Sequence, residues 1–197
     1  ASSVQSGSSL NWHRSTGAGF AAPATLLSLP GDPYGIRFVT GDINEDGRAD
    51  IVFTNGDDVL QWLRKTAPGG YAPPAVLRNG TGLDSDQSLC VADMDADGDN
   101  DILLDGGRIF LENTAIHREA AAIVTAHPGS MPSGAVDLTV GDVNNDGKED
   151  LIAADGGGKR LLWYAGTGNG LSSAGLVSTG SVAPASVAAG DFNRDGW

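Results

Sequence analysis

A short aspartate-rich phrase recurs four times along this chain at almost constant spacing. GDINEDGRADIV begins at Gly41, ADMDADGDNDIL at Ala92, GDVNNDGKEDLI at Gly141 and GDFNRDGW at Gly190. The leading aspartates, Asp42, Asp93, Asp142 and Asp191, stand 51, 49 and 49 residues apart. A period of this size marks a solenoid, propeller or array, in which each repeat is one supersecondary unit that buries its apolar face on the next. A second landmark keeps the same period. LNWHRSTGAGFAAPATL from Leu10 parallels LQWLRKTAPGGYAPPAVL from Leu60, and Trp12, Trp62, Phe110 and Trp163 each precede a threonine (Thr16, Thr66, Thr114, Thr167) by four positions.

Between these landmarks the apolar runs are short and are broken by turn clusters such as TNGDD, TAPGG, RNGTG and TGNG. That is strand-and-turn punctuation, and only Ala115–Val124 offers a turn of helix. The first complete repeat is expected to form four strands, near Ile36–Thr40, Ile51–Thr54, Val59–Arg64 and Ala72–Leu77. Four antiparallel strands per period of this length make an all-β propeller blade. A parallel β-helix needs far shorter periods, and a sandwich does not repeat its sequence. The expected division is a partial blade over residues 1–30, blades at about 36–77, 86–125 and 135–177, and the start of a further blade at 186–197, all in one propeller region over 1–197.

The aspartate loops carry the chemistry. Positions 1, 3 and 5 present oxygen side chains: Asp42, Asn44 and Asp46; Asp93, Asp95 and Asp97; Asp142, Asn144 and Asp146; Asp191, Asn193 and Asp195. Position 6 is always glycine, which permits the sharp reversal needed to wrap one ion. Position 7 (Arg48, Asp99, Lys148, Trp197) has no common side-chain chemistry and can share only a backbone carbonyl. Position 9 adds Asp50, Asp101 or Asp150, placed to bind with both oxygens. Hard oxygen ligands of this number suit Ca²⁺ better than Mg²⁺, which keeps its waters and demands a strict octahedron. An EF-hand shares the first six positions but ends in glutamate at position 12, where this chain has Phe53, Leu104 and Ala153 in strand-like runs. Helical calcium hands are therefore rejected.

These loops, D-x-[DN]-x-D-G-x-x-D followed by an apolar pair, resemble the FG-GAP or VCBS repeats of integrin alpha-subunit propellers and of many secreted proteins. The resemblance covers nearly the whole chain. It implies that each loop joins the first and second strands of a blade, binds Ca²⁺, and lies on the face opposite the usual ligand-binding surface. The implied ligands are Asp42, Asn44, Asp46, the Arg48 carbonyl and Asp50, with their equivalents in the second and third loops. The fourth loop departs from the pattern, because position 9 would fall beyond Trp197. Propellers of this family have about six to eight blades. A fragment of such a ring is therefore favoured over a four-bladed ring or a ring completed by self-association of two chains.

Composition excludes several partners. With 12 Lys+Arg against 25 Asp+Glu and a net charge of −13, the chain has no basic face for nucleic acid or anionic membrane. No apolar run approaches the roughly 18 to 20 residues needed for a membrane span, and ASSVQSGSSL lacks the features of a signal peptide. The single cysteine, Cys90 in LCVA, reads as a buried thiol.

Function is carried by the other face. Residues 28–35, 55–58, 78–86, 105–107, 126–134, 155–158 and 178–185 are expected to form its loops, with Tyr34, Arg78 and His127 as candidate contacts for a sugar or protein partner. Trp12, Trp62 and Trp163 are assigned to packing between blades. Two function classes follow: a non-catalytic recognition or scaffold module for protein or carbohydrate, and part of a secreted polysaccharide-acting, lyase-like enzyme. Loops of this ligand type suit extracellular calcium, so secretion or surface display is expected. Asn79-Gly80-Thr81 is the chain's N-x-[ST] sequon.

Overall fold

A computed structural model describes residues 7–29, 37–55, 59–66, 69–79, 88–104, 109–113, 123–126, 135–168 and 170–191. Among these the secondary structure is all strand: β1 (Ser8–Trp12), β2 (Ala24–Leu29), β3 (Arg37–Gly41), β4 (Asp50–Asn55), β5 (Val59–Leu63), β6 (Ala75–Asn79), β7 (Leu89–Ala92), β8 (Asp101–Leu104), β9 (Ile109–Asn113), β10 (Ile123–Ala126), β11 (Ala135–Gly141), β12 (Asp150–Asp155), β13 (Arg160–Tyr164) and β14 (Gly175–Thr179). They form a β1-β2 ribbon and three four-stranded sheets in sequential order, β3-β4-β5-β6, β7-β8-β9-β10 and β11-β12-β13-β14. The all-β architecture of antiparallel sheets agrees with propeller blades. The proposed helical turn is not helix where the structure describes it, since Ile123 and Val124 open β10, and the rest of that segment lies outside the described residues.

Burial grades across each blade, and the sequence explains the gradient. Second strands begin with an aspartate followed by an unbroken apolar run. All four residues of β8 are buried, and β12 is buried at five of six positions. Continuous apolar runs belong to strands covered on both faces. The fourth strands of the first and third blades face water: three of the five β6 residues and four of the five β14 residues are exposed, among the latter Leu176 and Val177. The fourth strand of the first blade starts at Ala75, later than expected. Ala72 N–H first closes onto the Arg64 carbonyl, and Pro73 and Pro74 then offer no N–H to a ladder.

The chain divides into two compact units, Ala1–Phe38 with Ile51–Ser85, and Val39–Asp50 with Asp86–Trp197. In the first, Leu10, Ile51, Phe53 and Leu63 pack together with Leu26, Leu27 and Tyr71. In the second, Cys90, Met94, Leu103, Phe110, Leu138, Leu151, Ala153, Leu162 and Tyr164 belong to one cluster. Burial pushes the Cys90 thiol up to about 12, as its apolar setting suggested. Trp62 and Phe110 are buried, while Trp12 and Trp163 are half-buried.

Successive first strands lie side by side within the second unit. A Cβ on Gly41 would collide with Val91 Cγ1, so glycine is needed there for the close approach. Farther along, Val187 N–H donates to Asp137 Oδ2 at 2.9 Å and Ala189 N–H to Thr139 Oγ1 at 3.3 Å, each pair 50 residues apart. The tryptophan-to-threonine landmark closes the turn between third and fourth strands: Thr16 N–H bonds the Gly19 carbonyl, Thr66 N–H that of Gly70, and Thr167 N–H that of Gly170.

Candidate metal centre

Each aspartate loop connects the first and second strands of a blade. Position 1 (Asp42, Asp93, Asp142) follows the last residue of β3, β7 or β11, and position 9 (Asp50, Asp101, Asp150) is the first residue of β4, β8 or β12. The backbone between them has one shape three times over. Position 6 is left-handed at Gly47 (φ 79°), Gly98 (102°) and Gly147 (84°), and position 4 is left-handed at Glu45 (53°), Ala96 (62°) and Asn145 (59°). Two reversals within three residues curl the chain around the position-1 carboxylate. Asp42 accepts from Asp46 N–H at 3.1 Å and Gly47 N–H at 2.7 Å. Asp93 accepts from Asp97 and Gly98, and Asp142 from Asp146 and Gly147, with the same atoms. The position-5 carboxylate accepts from the N–H of position 7 in all three loops.

Position 9 braces each loop from inside. Asp50, Asp101 and Asp150 have no exposed surface. One oxygen of each accepts the N–H of position 2: Ile43 at 3.4 Å, Met94 at 3.0 Å and Val143 at 3.0 Å. In the second and third loops the other oxygen accepts an N–H just after or at the end of the third strand, from Asn113 at 2.9 Å and Gly166 at 2.8 Å. This aspartate thus ties loop to blade, a role that its spacing alone does not reveal.

The three loops differ in charge balance. In the first, Arg48 Nη2 lies 2.6 Å from Asp46 Oδ2, and in the third, Lys148 Nζ lies 3.7 Å from Asp146 Oδ2. The second loop has Asp99 where the others have a cation. Burial, with the Glu45 carboxyl beside it, pushes Asp99 up to about 6. Burial also pushes Asp101 up to about 7, against its two backbone bonds, and raises Asp95. A carboxyl whose pKa burial raises in this way gives up its proton less readily, and the proton must leave before the oxygen ligates a metal.

The donor set fits a hard divalent ion. Oxygens of Asp93, Asp95 and Asp101 all lie within 4.8 Å of one another. Ligands held about 2.3 to 2.6 Å from one Ca²⁺ lie no farther than about 5 Å apart, so these three can share an ion. The first and third loops offer the same positions with Asn44 and Asn144 at position 3, each donating through Nδ2 to the position-5 carboxylate at 3.2 Å.

Of the other predicted residues, Asp191 is described and exposed, whereas Asn193 and Asp195 lie outside the described residues. So do Tyr34 and His127. Arg78, expected in a loop, instead lies within β6, paired in register with Leu60. The ladder with β5 continues through it, from Ala75 opposite Trp62 to Asn79 opposite Val59. Two residues with a part in the loops escaped sequence reasoning. Asn100 Nδ2 donates to the Asp42 carbonyl at 2.8 Å, and Asn113 Nδ2 donates to the Ile43 carbonyl at 2.8 Å. No period of the sequence marks them, because neither type recurs at the matching position of the third blade, where Glu149 and Gly166 stand.

Comparison with known proteins agrees with this geometry. A family model described as FG-GAP-like repeat matches residues 42–104 and 120–197. No significant match was found among curated protein sequences. Among solved structures, the chain is similar to an Agrocybe aegerita lectin studied for specific recognition of non-reducing terminal N-acetylglucosamine, with TM-score 0.53 and 20% identity over 76% of this chain and 41% of that one. At this identity the likeness is one of fold, and the chain spans less than half of that lectin's length.

Proposed function

Because the chain belongs to the FG-GAP-like repeat family, we propose that it serves as a calcium-stabilised, non-catalytic recognition module, displayed outside the cell, whose ligand is a glycan. The observation that carries this reading is the threefold recurrence of one oxygen-lined loop geometry at one end of successive blades. Ions there act as cement, which leaves the opposite end for recognition. In the third blade that end is the β12–β13 turn. Asp155 accepts from Gly158 N–H and from Arg160 Nε, each at 2.8 Å, and these bonds, the backbone one foremost, lower its pKa. A rigid acid and guanidinium pair of this kind suits sugar hydroxyls. The lectin of similar fold supports a saccharide over a protein ligand, and the oxygen-only donor set supports calcium at extracellular concentration.

The test is a glycan-array screen that includes N-acetylglucosamine-terminated chains, run in millimolar CaCl₂ and again in EDTA. Saturable binding to a defined glycan class, weakened at least tenfold by EDTA, is expected. Absence of binding to any glycan in calcium would overturn the glycan assignment, and binding indifferent to chelator would overturn the calcium dependence.

A further inference from the structure

We propose that Asn113 is a positioning residue that couples the first and second loops, so that an ion in either one favours an ion in the other. This rests on the reading of the loops as calcium sites. The coupling follows from the bonds that one buried side chain and its own backbone make. Asn113 closes β9 and is 1% exposed. Its N–H donates to Asp101 Oδ1 in the second loop at 2.9 Å. Its side-chain Nδ2 donates to two carbonyls, Ile43 in the first loop at 2.8 Å and Asn100 in the second at 3.2 Å. Asn100 then reaches back with its own Nδ2 to the carbonyl of Asp42, at 2.8 Å.

The four bonds join position 9 of one loop to position 2 of the other through Asn113 directly, and to position 1 through Asn113 and then Asn100. Position 2 is also where the first loop's own brace acts, since Ile43 N–H donates to Asp50 Oδ2 at 3.4 Å. The peptide at Ile43 is therefore held from both sides, by its own blade through N–H and by Asn113 through C=O. Ordering the second loop around an ion fixes Asp101, hence Asn113, hence the Ile43 peptide on which the first loop closes. By linkage the effect runs equally in the other direction.

The third blade shows what the arrangement looks like without the clamp. There Gly166 N–H makes the same bond to Asp150 Oδ1, at 2.8 Å, but no side chain extends from it. A Cβ at Gly166 would collide with the Glu149 carbonyl oxygen, so that junction is closed to an asparagine. The backbone half of the device is shared by both blades. The side-chain half belongs to Asn113.

The experiment is a calcium titration of the full chain followed by ¹⁵N NMR at Gly47, Gly98 and Gly147, whose N–H groups bond the position-1 carboxylates of the three loops. In the native protein Gly47 and Gly98 are expected to share one midpoint with a Hill coefficient above one. Asn113→Gly, which keeps the backbone bond and copies the third blade, should separate those midpoints by about fivefold or more and leave Gly147 unmoved. Asn100→Ala removes one bond and should separate them less. Disabling the second site with Asp93→Asn should weaken calcium binding reported at Gly47 in the native background and have no further effect in Asn113→Gly. Independent midpoints in the native protein, or a Gly47 response indifferent to Asp93→Asn, would overturn the coupling while leaving the calcium sites in place. Glycine resonances that never respond to calcium would overturn both. If Asn113→Gly unfolds, the Asp93→Asn arm still decides.

Discussion

Removing calcium is expected to lower the melting temperature of this protein by on the order of 20 °C at low ionic strength. Fifteen of its 25 acidic residues lie in the four repeated loops, five of them in the second. In the second loop the oxygens of Asp93, Asp95 and Asp101 lie within 4.8 Å of one another, and the position-9 group of each described loop has no exposed surface. Without a cation their mutual repulsion opposes closure. Three divalent ions, six positive charges, would take the formal charge from −13 to −7. Ligand at a hundred times its dissociation constant stabilises a fold by about 2.7 kcal/mol per site, so three sites contribute about 8 kcal/mol. For a domain of this size each kcal/mol moves the midpoint by about 2 to 4 °C, which gives the expected shift. Differential scanning calorimetry in CaCl₂ and in EDTA measures it. A midpoint unchanged by EDTA would sink the stabilising role.

The second large effect distinguishes the sites. Asp101→Ala is expected to abolish the tightest calcium-binding event, whereas Asp150→Ala removes a weaker one. The second loop offers four side-chain carboxylates, Asp93, Asp95, Asp97 and Asp101, where the first and third have asparagine at position 3. Position 7 sharpens the contrast, since Arg48 and Lys148 partly neutralise their own loops and the second loop has no cation at that position. More negative charge raises attraction for the ion and repulsion in the empty loop together. Both alanine variants also strand N–H groups: the buried Met94 and Asn113 in one case, the buried Gly166 and the part-buried Val143 and Asn144 in the other. Each stranded donor costs about 1 to 3 kcal/mol, so the two should lose similar stability in EDTA and separate only in calcium. Isothermal titration calorimetry reads the affinities. Loss of the tighter event in Asp150→Ala would show that carboxylate number does not rank the loops.

How much of this was legible from sequence depends on whether a feature is local. The oxygen-bearing loop positions, the position-6 glycines and the burial of DILL and DLIAA follow from residue type and spacing within a few positions, and they recur, so they stand out. The left-handed backbone at position 4 does not. Glu45, Ala96 and Asn145 share the conformation, yet only asparagine favours it intrinsically. The geometry is imposed by the N–H groups that converge on the position-1 carboxylate. The bracing role of Asp50, Asp101 and Asp150 was hidden for a related reason, because partners such as Asn113 and Gly166 come from beyond the loop. Asn100 and Asn113 lay farther out of reach. Their bonds to Asp42 and Ile43 cross 58 and 70 residues, and no sequence period announces a contact made at one junction and not the next.

The most direct measurement of the calcium reading is a count of ions by native mass spectrometry in excess calcium. At least three Ca²⁺ per chain are expected, with Asp42→Asn, Asp93→Asn and Asp142→Asn each removing one and the triple variant losing all three. A native chain that carries no bound calcium, or a triple variant that keeps its full complement, would contradict the assignment of these loops as the metal centres.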